Sequence, residues 1–367
     1  MPGMTRQELG MITPEQALQK ILDHAQTLDA EPAALSQCAG RILAQDLSAG
    51  ENLLRPGENI RRRAQDVRRS DLLLKKGSLL RPYEIALLAA QGIEIVPVIR
   101  RPTVAILATG DELIDASKPL PRGKIRNSNG PAIAAALSRW NLSVMDLGIA
   151  RDDPGELEAA LKPALARADV IVISGGVSAG DFDHTKTVLR RLGAEEIFRN
   201  LAIKPGKPFL FAVHRSSRGG TLRSPRSSAL GPRSPRGAWG ASGTRLRQWR
   251  GGRELPIFGL PGNPVAALIC LEEFIRPALE KMQGYAPKHP SYHLRARAVN
   301  GYDKPSDRRE YLFCRASLDD GDFKLHILRP RGAAMMGAAC AANALAAAPL
   351  GVGRIQPGDW LPFRWLK

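Results

Sequence analysis

From Pro102 onward, short apolar runs alternate with stretches of helical period: TVAILA, PAIAAALSRW, LSVMDLG, GELEAALKPALARA, DVIVIS and HTKTVLRRLG. Apolar runs this short, bounded by polar residues, read as strands buried on both faces, and an amphipathic helix between them carries the chain back for a parallel strand. A βαβαβα order therefore predicts a doubly wound, mostly parallel α/β sheet with helices on both faces. The pattern goes on through EEIFRNLAI and PFLFAV, breaks off, and resumes with PIFGL and NPVAALICLEEFIRPALEKM, which predicts one α/β domain over residues 101–284.

At 367 residues the chain exceeds a single core and needs two or three folding units. Residues 11–100 read as an N-terminal α+β region. Thr13 caps a helix expected over about 14–28, with Pro14 at its first position and Gln16 closing a capping box. A second helix, Pro82 to Gln91, stops at Gly92. Over 290–367 the pattern changes to alternating strands, YHLRARAV, REYLFCRASL, FKLHILR and DWLPFRWL, which predict a small β-barrel or sandwich.

The net charge of +17 invites a nucleic-acid reading, but its distribution argues against one. Ten arginines fall between His214 and Arg253 with no acidic residue, and six more between Arg55 and Arg69. Without these two segments the charge is about +3, and aromatics for base stacking are only 5% of the chain. The 214–253 stretch, with its near-repeats LRSPRSS and PRSPRGA, reads as a disordered insertion or an out-of-frame piece of the gene. Cys38, Cys270, Cys314 and Cys340 lie far apart, so neither a zinc site nor a disulfide framework is expected. The start has no apolar signal-peptide core, which makes the cytoplasm the expected location. The uncharged 332–352 window is mostly alanine and is not expected to span a membrane.

Ligands of open parallel sheets bind beyond the carboxyl ends of the strands. Three glycine loops fall there: Thr109-Gly110-Asp111-Glu112, Ser174-Gly175-Gly176-Val177-Ser178 and Leu260-Pro261-Gly262-Asn263-Pro264. Glycines admit close backbone approach and helix N-termini favour anions, so a phosphate group is the natural guest. Asp111, Glu112, Asp181 and Asp183 would repel a phosphate unless a divalent cation stood between, and magnesium suits such a set. The bland alternative is that these carboxylates cap helices. Lys204 and Lys207, in IKPGKP at another strand end, could balance an oxyanion, and Arg61, Arg62 and Arg63 could pair with phosphate or simply be solvated. The segment Gly176-Val177-Ser178-Ala179-Gly180 also matches a serine-hydrolase elbow, but His184 follows the serine too closely for the usual triad order.

Taken in order, GENIRRRAQD, ILATGDEL, ISGGVSAGDFDHTK, IKPGKP and FGLPGNPVAAL closely resemble the molybdopterin molybdenumtransferase family, MoeA and the gephyrin E domain. The resemblance implies an Mg²⁺-dependent enzyme of molybdenum cofactor biosynthesis that inserts molybdate into adenylylated molybdopterin and releases AMP. It implies a homodimer, with other proteins of cofactor biosynthesis as partners. By the same resemblance Asp111, Asp183 and Lys204 are catalytic, with Asp111, Glu112 and Asp183 at the metal. Thr109, Gly110, Ser174, Gly175, Gly176, Ser178, Lys207, Pro261, Gly262, Asn263, Pro264 and Arg315 would bind substrate. The chain departs from the family pattern where it passes from Leu47 to Gly57 in ten residues, omitting a subdomain with a DNSAMDGYA-like segment. It departs again at Gln65, Asn200 and Ala333, where the pattern has glutamate, lysine and serine. A non-catalytic relative that holds molybdopterin without inserting metal is the competing expectation.

Overall fold

The computed structural model describes residues 10–50, 67–176, 184–216, 253–287, 292–304, 306–329 and 336–366. Arg61 to Arg63, Gln65, Ser178, Asp181, Asp183 and Ala333 lie outside these residues, as does the segment 217–252.

The N-terminal region is built from α1 (Pro14–His24), β1 (Ala30–Ala34), β2 (Leu47–Ser48), β3 (Leu72–Leu74), α2 (Pro82–Ala90) and β4 (Ile95–Ile99). The capping box forms: Gln16 N–H donates to Thr13 Oγ1 at 3.2 Å and Thr13 N–H to Gln16 Oε1 at 3.1 Å. Helix α1 stops at His24, short of the expected 28, because the chain turns extended and Leu28 N–H donates to the Met282 carbonyl. Strands β1 and β4 pair antiparallel, and β2 pairs with β3.

The central domain runs β5 (Thr103–Thr109), β6 (Leu113–Ile114), β7 (Ile125–Arg126), α3 (Asn129–Arg139), β8 (Ser143–Ala150), α4 (Pro154–Arg167), β9 (Val170–Ser174) and α5 (His184–Arg191). It continues with β10 (Ala194–Arg199), β11 (Ile203–Lys204), β12 (Leu210–Ser216), β13 (Arg253–Leu260), α6 (Pro264–Cys270) and α7 (Arg276–Met282). Its six-stranded sheet has the order β10-β12-β13-β9-β5-β8. Residue alternation divides each strand between two cores. Val104, Ile106, Val170, Val172, Phe211 and Phe258 face α1, α3, α6 and α7, while Ala105, Leu107, Ile171, Ile173, Ala212 and Ile257 face α4 and α5.

The sheet is mixed. Strands β13, β9, β5 and β8 are parallel, but β12 runs antiparallel to both β10 and β13. Among the described residues no helix lies between β10 and β12, and an antiparallel neighbour needs no crossover. The β12–β13 ladder also corrects the expected limits of the insertion, since His214, Arg215 and Ser216 pair with Leu255, Glu254 and Arg253. Arg215 bridges Glu195 and Glu254 there, holding the strand ends together.

The C-terminal domain comprises β14 (Leu294–Ala298), β15 (Tyr302–Asp303), β16 (Arg309–Asp319), β17 (Asp322–Ile327), α8 (Met336–Ala341), β18 (Ala344–Ala348), β19 (Arg354–Ile355) and β20 (Trp360–Trp365). The order β16-β17-β14-β20-β18 closes on itself through β16–β18, forming the barrel. Strand β18 falls in the alanine window that sequence patterning leaves without a strand. Its five residues are all buried, with Ala347 opposite Tyr311, Ala346 opposite Leu312 and Leu345 opposite Phe313. The barrel seats on the α6–α7 helix, which takes a π-helical turn over Leu271–Ile275. There the buried Glu273 carboxylate accepts hydrogen bonds from Arg364 Nη2 and Tyr292 Oη, both at 2.9 Å. Among the described residues no helix is long and apolar enough to cross a membrane.

Candidate functional site

In a parallel sheet all crossover loops leave from the same edge, and the register fixes which loops meet. Thr109 is level with Ala150, Ala108 with Ser174, and Ser174 with Leu260. The three glycine loops therefore converge on one edge, together with a fourth segment, Arg151-Asp152-Asp153, that follows β8. Backbone bonds tie them: Gly110 N–H donates to the Ala150 carbonyl at 3.3 Å and Gly175 N–H to the Leu260 carbonyl at 3.1 Å.

Packing at this edge demands glycine. Gly175 has φ +90°, and a Cβ there would stand 2.3 Å from the Thr109 carbonyl oxygen. Gly176 has φ +64°, and its Cβ would meet Thr185 Oγ1 at 2.6 Å and Thr109 Oγ1 at 2.7 Å. Thr109 itself is buried, and its hydroxyl has no partner among the described residues. A buried hydroxyl without a partner costs stability that a same-shape methyl would not. Thr109→Val is thus expected to leave the thermal unfolding midpoint unchanged or raise it by a degree or two. A fall of several degrees in a thermal melt would show that the hydroxyl is structural.

Asp111 and Glu112 are exposed. Asp111 Oδ1 accepts the Asp152 N–H at 3.2 Å, and Lys124 Nζ donates to the Asp111 carbonyl at 2.5 Å. The short β6–β7 pair braces this loop, with Ile125 N–H on the Glu112 carbonyl. Burial pushes the Asp152 carboxyl above its ordinary value, and the Asp111 and Glu112 charges add to that push against the pull of His184. Mutual repulsion of this kind suits a cation. No group of three His, Cys, Asp or Glu among the described residues could hold a metal by protein ligands alone. Magnesium keeps several waters and needs only one or two carboxylates, so the acidic edge is compatible with it.

In the third loop Pro261 is buried and Gly262 exposed. Asn263 caps α6, its Oδ1 accepting from Val265 N–H at 3.0 Å and Ala266 N–H at 3.1 Å, with Pro264 at the first helical position. Asn129, at the start of α3, donates from Nδ2 to the Gly262 carbonyl at 3.0 Å, which leaves its buried Oδ1 as an acceptor without a partner among the described residues. Sequence reasoning missed both Asn129 and Asp152. The signals were present: NSNGP marks a helix start, and RDDP follows a strand just as TGDE does.

Lys204 is not at an end of this sheet. The two-residue β11 leaves it and joins the barrel sheet in parallel with β16, and Lys204 Nζ lies 3.0 Å from Glu310 Oε1. The turn after it presses on α6, since a Cβ at Gly206 would be 2.8 Å from Cys270 Sγ. Lys207 follows that turn and enters β12 at the glycine edge, where Leu210 pairs with Gly259. Arg315 stands apart, on β16, its Nε donating to the Ala341 carbonyl at 3.1 Å. A cavity of about 770 Å³ lies in that same domain, lined by Asn300, His326, Arg329 and Ala341 among others, and not at the glycine edge.

Three families match along the chain: "MoeA N-terminal region (domain I and II)" over residues 51–92, "Probable molybdopterin binding domain" over 105–281 and "MoeA C-terminal region (domain IV)" over 295–364. The molybdopterin molybdenumtransferase of Nostoc sp. is 32% identical over 290 residues, covering 78% of this chain and 58% of that protein. That of Haemophilus influenzae is 33% identical over 241 residues, covering 66% of this chain and 50% of that protein. The chain thus spans about half the length of the curated relatives it matches. Two solved structures of the molybdopterin biosynthesis MoeA protein from Pyrococcus horikoshii share the fold, with TM-scores of 0.70 and 0.67 at 21% and 18% identity, each covering 97% of this chain and 99% or 100% of the other. The glycine edge, the barrel seated beside it and the ordered run of family matches place this chain in the molybdopterin molybdenumtransferase (MoeA) family.

Proposed function

We propose that the chain inserts molybdate into adenylylated molybdopterin with release of AMP, in a magnesium-dependent reaction at the glycine edge. The observation that carries this reading is the convergence of Thr109–Glu112, Ser174–Gly176 and Pro261–Pro264 on one sheet edge, lined by backbone and rimmed by carboxylates. Gly175 and Gly176 let main chain meet the phosphate group without an intervening side chain, and the start of α6 favours its charge. The orphaned Thr109 hydroxyl and Asn129 carbonyl oxygen are free to receive polar atoms of the pterin. Asp111 and Glu112 would hold magnesium, with Asp183 added on the family resemblance alone, and the ion would supply positive charge for phosphate oxygens. Asp152 supports that role by holding Asp111 through its own N–H, and Lys207 supplies positive charge from the β12 side.

A homodimer is part of this proposal, on the ground of the family resemblance. The alternative, a relative that holds molybdopterin without inserting metal, is favoured by Asn200. There a neutral amide stands where the family pattern has a lysine, so one positive charge for an anionic substrate is missing. AMP release and cofactor formation from adenylylated molybdopterin, molybdate and Mg²⁺ distinguish the two. Molybdate-dependent turnover that falls roughly 100-fold in Asp111→Asn is the expected result. Pterin binding without turnover would overturn the transferase reading in favour of the carrier.

A further inference from the structure

Residues that stand level in a parallel ladder present their side chains to the same face, and Lys204 and Glu310 stand level between β11 and β16. Their side chains differ sharply in environment: Lys204 is 40% exposed and Glu310 only 2%. Burying a carboxylate is expensive unless it is paired and hydrogen-bonded. Glu310 Oε1 forms an ion pair with Lys204 Nζ at 3.0 Å and accepts a hydrogen bond from Tyr302 Oη at 2.9 Å, while Oε2 is buried with no partner among the described residues. Lys304, buried close by with its Nζ on the Arg308, Pro349 and Val352 carbonyls, adds a second positive charge to the carboxylate's surroundings.

A half-satisfied buried carboxylate is a poor stabiliser, and an apolar side chain of similar volume commonly does as well. What Glu310 does accomplish is to fix an ammonium. A lysine ammonium has three donors, and one of them is committed to Oε1. The site of attachment is rigid, because the neighbouring Arg309 is tied to Glu15 of α1 at 2.5 Å and Tyr311 is buried in the interdomain core.

We propose that Glu310 is the positioning residue for Lys204: from inside the barrel it holds the lysine ammonium where β11 joins β16, with the remaining donors left for an anionic substrate oxygen. This rests on the proposed reaction for the identity of that anion, but the ion pair itself can be tested apart from it. The barrel is then part of the reaction machinery, since it carries the carboxylate that orients a lysine supplied by the other domain.

Competitive acetylation of the full-length protein by trace acetic anhydride, read lysine by lysine by mass spectrometry, measures how firmly each amine is held. In Glu310→Gln, Lys204 is expected to label roughly fivefold faster, with Lys207 as the internal reference that does not change. Tyr302→Phe, which removes the second donor to Oε1 and spares the carboxylate, should move Lys204 labelling less and serves if the first variant fails to fold. With adenylylated molybdopterin and molybdate, Glu310→Gln should lower kcat roughly 10- to 100-fold with little change in KM. Glu310→Asp should restore part of the loss, and in a Lys204→Ala background Glu310→Gln should have no further effect. Lys204 labelling that ignores both substitutions, or additive losses in the double variant, overturns the proposal. A wild-type protein that never turns over sinks the proposed reaction instead, and labelling alone then decides whether Glu310 holds Lys204.

Discussion

Gly175→Ala is expected to abolish the glycine edge. The added Cβ would lie 2.3 Å from the Thr109 carbonyl oxygen, and the residue would have to keep φ +90°. Left-handed strain costs an alanine about 1–2 kcal/mol, and a forced backbone shift in a packed site adds about 1–3 kcal/mol. The chain can escape only by moving Ser174–Gly176 away from β5, which also breaks the Gly175 N–H bond to Leu260. The expected result is an unfolding midpoint lowered by roughly 5–10 °C and pterin binding weakened at least about 100-fold, since misplacing a binding loop by an ångström can cost that much. Thermal melts and isothermal titration with molybdopterin check both. Wild-type values for the two would mean that the loop is not held as described.

Glu273→Ala should be the most destabilising single change between the two larger domains. It removes a carboxylate with 4% exposure and leaves Arg364, 18% exposed, facing a void beside Tyr292. Breaking a buried pair by deleting one partner costs about 3–5 kcal/mol, because the survivor's charge stays desolvated. Urea unfolding should give a loss of unfolding free energy of that size, with Glu273→Gln losing less because it can still meet the Tyr292 hydroxyl. Exchanging the pair together, Glu273→Leu with Arg364→Met, should recover most of the loss. If the double variant is as unstable as the single one, the network is needed for its hydrogen bonds and not for charge balance.

Much of the fold was legible because strand burial leaves a local mark. Apolar runs such as DVIVIS and TVAILA can be satisfied only inside a covered sheet, and the helices between them force a parallel return. The antiparallel β10–β12–β13 edge was less legible, since apolar strands buried on both faces look alike whichever way they run. Strand β18 was invisible because alanine has no strand preference of its own. It forms where barrel closure pairs it with β16, setting Ala347 opposite Tyr311 and Ala346 opposite Leu312. The end of α1 at His24 is likewise set from outside, by a bond from Leu28 to the end of α7.

The grouping of the candidate residues divides along the same line. Pattern alone places the TGDE and SGG loops on one edge, because a crossover helix returns the chain for a parallel strand that ends on the same side; the LPGNP loop joins them because the antiparallel β12 brings β13 in parallel to β9. Only the tertiary structure decided that Asp152 supports Asp111, that Asn129 reaches the LPGNP carbonyls, and that Lys204 leaves the sheet for Glu310. Asn129 and Glu310 stand more than a hundred residues along the chain from the groups they meet, and Asp152 meets Asp111 across the β5–α3–β8 crossover. Spacing records what a local period can carry; a contact made by docking one domain on another depends on packing of whole surfaces, which no short stretch of residues encodes.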